Sequence, residues 1–129
     1  MRYRAFTTAV GVGTILLAAS NGFAQGDPAA GENTFTLKCA QCHVVTADLK
    51  HGLLGPNLVG VVGRQAGQVP GWDFSPALKD AKIAWTEENL NKWLTDSTAF
   101  LPGAKMDIKV PNRFEREDVI AFLKNLKPK

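Results

Sequence analysis

Between Lys50 and Trp72 the chain carries six glycines and two prolines in 23 residues, with no sustained apolar repeat of either 3.6 or 2. Neither a helix nor a strand can be built from such a pattern, so the stretch reads as loop. A loop this long inside a small domain needs a body to wrap around. Whatever fills the centre of this protein must therefore be sizeable, and the rest of the chain has to leave room for it.

The flanking segments read as helices. Asp27-Pro28 offers a capping carboxylate followed by proline at the first helical position, and predicts a helix from Pro28 to about Ala40 that carries Ala30, Phe35 and Leu37. Ser75-Pro76 predicts a short helix. Thr86 caps another in which Leu90, Trp93 and Leu94 recur at helical spacing. Pro102-Gly103 forces a turn. Asn112 with Glu115 three residues on resembles a capping box, opening a helix with the stripe Val119, Phe122, Leu123 and Leu126 that Pro128 stops. No strand pattern competes, so the expected fold is all-α, with three to five helices and long loops.

The candidate for the central body comes from Cys39-Ala40-Gln41-Cys42-His43. C-x-x-C-H is the attachment pattern for a c-type haem. Two thiols add across the two vinyl groups at one porphyrin edge, and the adjacent imidazole reaches the iron. On a helical turn, positions i, i+3 and i+4 share one face, so all three side chains can meet the same ring. Three other readings use the same residues. A disulfide between Cys39 and Cys42 can form outside the cytosol, a thioredoxin-like redox motif is also C-x-x-C but needs a βαβ frame, and zinc needs a fourth ligand that only His51 could supply. Haem also gives the loop something to enclose.

As an iron ligand, His43 needs its other ring nitrogen held by an acceptor, for which a carbonyl near Pro56 is the candidate. The opposite axial ligand has to come from distant sequence. Met106 is the only methionine after the initiator, and it follows the Pro102-Gly103 turn rather than sitting in a helical stripe. Ordinary packing is what most methionines do, but position and uniqueness favour ligation. The rival is His51, only eight residues past His43, which would strain to reach the far face. A thioether is soft and neutral, so it favours ferrous iron and raises the potential.

The first 24 residues have the form of a cleaved secretory signal: Arg2 and Arg4, an uncharged stretch with Ile15, Leu16 and Leu17 at its centre, and the small-residue end Gly22-Phe23-Ala24. Three glycines and several polar residues make it a poor membrane span. The expectation is a single domain over residues 25–129 in the periplasm. Without Arg2 and Arg4 the 15 basic residues fall to 13 against 12 acidic, so the net charge is +1 rather than +3. No basic run remains to suggest nucleic acid.

With these residues in place the sequence resembles the class I cytochromes c, in particular the mitochondrial-type and bacterial cytochrome c2 branch. The resemblance runs from Gly31 to Leu123, through Gly31 and Phe35, Gly55-Pro56-Asn57-Leu58, Gly63-Arg64-Gln65-Ala66-Gly67, Pro70-Gly71, Trp85, Pro102-Gly103-Ala104-Lys105-Met106 and Arg116. It implies the small cytochrome c fold around one haem c, with Phe35 crossing Val119 and Phe122 where Gly31 allows close approach. It implies that Arg64 and Trp85 donate to a buried haem propionate, although a solvated arginine and a plain core indole are the simpler readings of those two residues. It also implies one-electron transfer rather than enzymatic chemistry, by a monomer passing electrons from a membrane quinol-oxidising complex to an oxidase or photosynthetic reaction centre. The alternative is a dedicated electron-accepting subunit of an exported dehydrogenase.

The sequence departs from the pattern at several positions. Phe74 replaces a tyrosine and Ala104 a threonine, Leu78 replaces an asparagine, Trp93 stands for a tyrosine beside the methionine ligand, and Ser97 replaces a proline at the start of its loop. Lys38, Lys50, Lys105 and Lys109 could ring the haem edge and steer acidic partners, or be scattered and solvated.

Overall fold

The computed structural model describes residues 25–128, so the expected signal segment, residues 1–24, lies outside the described residues. Five helices follow one another: α1 Pro28–Lys38, α2 Pro76–Asp80, α3 Glu87–Thr95, α4 Ser97–Phe100 and α5 Arg113–Asn125. Among the described residues there is no strand, only one isolated antiparallel bridge between Gln65 and Ala84, and no helix is long and apolar enough to cross a membrane.

The expected caps form. Asp27 Oδ1 accepts from Ala29 N at 2.8 Å, and Thr86 Oγ1 from Asn89 N at 3.1 Å. The capping box at Asn112 is only half made: Asn112 Oδ1 accepts from Phe114 N, while Glu115 turns away to take an ion pair from Lys38 at 2.7 Å. A charged partner outbids a backbone amide here because two ionised groups make the stronger bond. Helix α1 stops at Lys38, two residues short of the expected end, with Cys39 as its C-cap.

Helices α1 and α5 cross as the largest interhelical contact. Phe35 and Phe122 meet at a ring-centroid distance of 5.6 Å, and Val119 is 1% exposed beneath them. Gly31 makes the crossing possible: a Cβ there would sit 2.0 Å from the Asp118 carbonyl oxygen. Arg116, buried in α5, donates to the carbonyls of Val110 and Pro111 at 2.7 and 2.8 Å and to Asn91 Oδ1 at 2.8 Å, tying α3, α5 and the segment between them into one frame.

Helix α4 has no counterpart in the sequence reading. It is one turn long, too short for a periodic pattern, and its signal is Asp96, whose Oδ1 accepts from Ala99 N and Thr98 Oγ1. Lys109 Nζ reaches Asp96 Oδ2 at 2.6 Å, and that bond, followed by the cap, holds the carboxyl down at about 2. A folded-state value below the unfolded one adds stability that is complete above pH 3.8 and lost as pH falls through about 2. Urea midpoints measured at a series of pH values are expected to drop less between pH 3.8 and 2 for Asp96→Asn than for the unchanged protein. Equal slopes would show that the pair contributes nothing.

Candidate haem site

The helices and the 50–72 loop surround a cavity of about 280 Å³, with Cys39 and His43 on its wall together with Met106, Arg64, Trp85, Phe74 and Leu78. Residues spread between Cys39 and Leu123 therefore converge on one space. The attachment motif is a separate turn beyond the C-cap of α1. Cys39 O accepts from both Cys42 N at 3.0 Å and His43 N at 2.9 Å, so the i, i+3, i+4 placement survives although the helix has ended.

His43 Nδ1 lies 2.8 Å from the carbonyl oxygen of Pro56. Because a carbonyl can only accept, Nδ1 carries the proton and Nε2 keeps its lone pair free for a metal. Burial is the main cause lowering the His43 pKa, which favours the neutral ligating form. Gly55 lets the Pro56 segment lie against the ring, since a Cβ at that position would come within 2.5 Å of His43 Cε1.

Pro56 is itself held by a network that the sequence reading did not assign. Asn57, 2% exposed, donates from Nδ2 to the carbonyls of Thr46 and Lys50, accepts from Val59 N through Oδ1, and donates its own N–H to His51 Nδ1. His51 Nε2 in turn donates to Pro70 O at 2.9 Å. Both ring nitrogens of His51 are thus engaged in closing the loop, and His51 is not on the cavity wall. That removes it as a rival iron ligand and gives it a structural duty. An asparagine in a glycine-rich loop suggests a turn and nothing more, so only the fold reveals this network.

Met106 is partly buried on the cavity wall. Trp93 Nε1 donates to its sulfur at 3.2 Å, and Ser97 Oγ, fully buried, donates to its carbonyl oxygen. Where the resembling family has a proline and a tyrosine, this chain has a hydroxyl that ties down the ligand segment and an indole that keeps a donor on the sulfur. Phe74 and Leu78 leave the wall apolar where the resembling family has polar side chains.

Arg64 and Trp85 are set side by side by backbone pairing: Trp85 N donates to Arg64 O, and Gly63 N to Trp85 O, each at 2.8 Å. The guanidinium donates weakly to Val59 O and Asn57 O, at 3.2 and 3.4 Å, while its Nε is buried without a partner. The Trp85 indole N–H likewise makes no hydrogen bond to another described residue, and its ring meets Trp93 edge-on at 5.1 Å. A buried donor left unpaired is costly. One such donor, Arg64 Nε, with the unbonded Trp85 indole N–H also at an apolar cavity, fits a group that is mostly hydrocarbon and carries a carboxylate, as haem does.

The rival readings of the cysteines find no support. Cys39 and Cys42 are unbridged, and burial pushes the Cys39 thiol up to about 11, whereas thiol redox chemistry needs a depressed value. No three His, Cys, Asp or Glu side chains gather as a metal site among the described residues.

Residues 28–127 match the cytochrome c family. The chain is 45% identical to cytochrome c2 iso-1 of Rhodospirillum centenum over 77% of its own length and 95% of that protein's. It is 41% identical to cytochrome c2 of Rhodomicrobium vannielii, over 87% and 89% of the two lengths. The structure of cytochrome cH from Methylobacterium extorquens superposes with a TM-score of 0.70 at 40% identity, covering 77% of this chain and 98% of that one. With a fold, a cavity and a sequence that agree in this way, the chain belongs to the cytochrome c family, on its cytochrome c2 branch, whose members hold haem c covalently and transfer electrons rather than catalyse reactions.

Proposed function

We propose that this protein is a periplasmic carrier that shuttles single electrons from a membrane quinol-oxidising complex to an oxidase or reaction centre. One haem c would be held covalently by Cys39 and Cys42, and His43 and Met106 are the side chains that would ligate its iron. The observation that carries the reading is a pair of tethered candidate ligands lining one cavity: His43 with its Nδ1 proton committed to Pro56, and Met106 fixed through Trp93 and Ser97. When bound, haem supplies an iron that cycles between ferric and ferrous states. The chain's own residues would supply both iron ligands, His43 and Met106, exclude water with an apolar wall, and offer Arg64 and Trp85 as donors to a propionate. With both ligands supplied by the chain, the bound group would have no position left for a substrate and would exchange electrons alone.

The departure of residues 1–24 as a signal peptide belongs to the same proposal. Expression with a haem-attachment system tests it: the protein is expected in the periplasmic fraction, beginning at Gln25, running alone at the size of a monomer, and reducible by quinol only when quinol-oxidising membranes are added. Copurification with a dehydrogenase as a larger complex would replace the shuttle with a dedicated subunit.

Trp93 offers a quantitative check. A donor on the thioether withdraws electron density from sulfur, weakens its donation to ferric iron and so raises the potential. One neutral hydrogen bond is worth about 1 kcal/mol, or roughly 40 mV for a one-electron couple. Trp93→Phe is therefore expected to lower the potential by tens of millivolts in a redox titration. An unchanged value would mean that the 3.2 Å contact has no electronic role.

A further inference from the structure

A second cavity, of about 250 Å³, is lined by Gln25 and Gly26 before α1, by Glu87 at the start of α3, and by Glu117, Ile120 and Lys124 of α5. It shares no lining residue with the haem site. The chain reaches it by a fixed route. A Cβ at Gly26 would sit 2.2 Å from the Glu117 carbonyl oxygen and 2.5 Å from Asp118 N, so the backbone of residue 26 lies directly against α5. Asp27 N donates to Asp118 Oδ1 at 2.8 Å and holds the next residue there as well. Successive Cα atoms are about 3.8 Å apart, which keeps the nitrogen of the exposed Gln25 within one residue of that contact.

Glu117 is the wall residue whose needs the described residues leave half met. Its side chain is 5% exposed, and Oε1 accepts from Arg113 Nε at 2.7 Å, while Oε2 makes no hydrogen bond to a described residue. A buried carboxylate is costly unless its oxygens find donors. The lysine of the wall, Lys124, is already taken by Glu87 at 2.5 Å. The charged groups gathered here are Glu87 from α3, Arg113, Glu117, Asp118 and Lys124 from α5, and Asp27 from the entering segment. Four carboxylates against two cations favour one more positive charge.

We infer that this cavity is the seat of the α-ammonium group that export creates at Gln25, held by Glu117, so that removal of the signal segment pins the start of the mature chain to α5. The inference rests on the reading of residues 1–24 as a cleaved signal and adds what the new chain end does. Hydrolysis of the Ala24–Gln25 bond by a signal peptidase, with water as the co-reactant, leaves a carboxylate on Ala24 and an amine on Gln25. The amine takes up a proton at neutral pH, because its ordinary pKa is about 8. Before cleavage the same nitrogen is an uncharged amide with a single donor hydrogen. A hydrogen bond between ionised groups is roughly twice as strong as a neutral one, so cleavage turns a weak donor into a strong one beside a carboxylate oxygen that lacks a partner.

Inserting Gly-Ser between Ala24 and Gln25 keeps the cleavage signal and carries the ammonium out of reach. Thermal unfolding of the exported holoprotein compares four forms: unchanged, extended, Glu117→Gln, and Glu117→Gln extended. At neutral pH the extension is expected to lower Tm by about 5 °C in the unchanged protein and by less than about 1 °C in Glu117→Gln. The loss is expected to vanish by about pH 10. Pairing raises the ammonium's pKa above about 8, so its contribution is full below that value and disappears as pH rises through the folded one. Equal losses in the two backgrounds, or a loss that persists at about pH 10, would overturn the proposal. So would a mass showing Gln25 cyclised, its amine having attacked the side-chain amide carbon and expelled ammonia, because no ammonium then remains. Amino-terminal sequencing that starts elsewhere defeats the cleavage reading itself and the proposal with it, whereas sequencing from Gln25 with equal losses defeats the proposal alone.

Discussion

Gly31→Ala is expected to destabilise the holoprotein by about 2 kcal/mol, even though alanine is the better helix former. The added Cβ would lie 2.0 Å from the Asp118 carbonyl oxygen and 2.8 Å from Phe122 Cβ. The first of these is backbone in α5 and cannot swing aside, so the crossing of α1 and α5 has to open. Overpacking of this kind costs typically 1–3 kcal/mol, occasionally more, and a backbone obstruction places the cost at or above about 3. Helix propensity returns about 1 kcal/mol. For a domain of this size the difference corresponds to a fall in Tm of roughly 10 °C. Gly31→Val, with more bulk and poorer propensity, is expected to lose more. Urea or thermal unfolding followed by far-ultraviolet circular dichroism reads the effect, and midpoints equal to those of the unchanged protein would show that the crossing does not require close backbone approach.

Met106→Ala is expected to convert a closed iron into an open one. The substitution removes the sulfur that Trp93 faces while leaving the Ser97 bond to the residue 106 carbonyl in place. The segment therefore stays anchored, and no other methionine lies on the cavity wall to take its place. His51 cannot move in without breaking its bonds to Pro70 and Asn57. Reduced Met106→Ala is expected to bind carbon monoxide rapidly and fully at neutral pH, where the unchanged protein does not. Its potential is expected to fall by 100 mV or more, on the order of the range over which axial ligands act. Rapid binding of carbon monoxide to the unchanged protein would mean that Met106 is not a ligand in solution.

Much of this could be read from the chain because the informative residues act locally. Caps at Asp27, Ser75 and Thr86 announce their helices, since a side-chain oxygen satisfies amides only two or three residues away. The C-x-x-C-H spacing implies its own geometry for the same reason, although the turn that realises it begins after α1 has already ended. What escaped the sequence depends on residues far apart. Glu115 looked like a capping partner three residues from Asn112 and instead pairs with Lys38, 77 positions away. Asn57 and His51 form the clasp behind Pro56 only once the loop has closed. Trp93 and Ser97 are departures from the family pattern whose consequence the sequence does not show, and in the fold both donate to Met106 and hold it. The lysines were counted as charges, and their partners Glu115, Asp48 and Asp96 became visible only in three dimensions.

X-ray absorption at the iron edge of the ferric holoprotein measures the coordination shell itself. Four porphyrin nitrogens, one imidazole nitrogen from His43 and one thioether sulfur from Met106 are the expected shell, with the sulfur lost in Met106→Ala. A shell of nitrogen and oxygen alone in the unchanged protein would contradict an iron held from both faces by this chain.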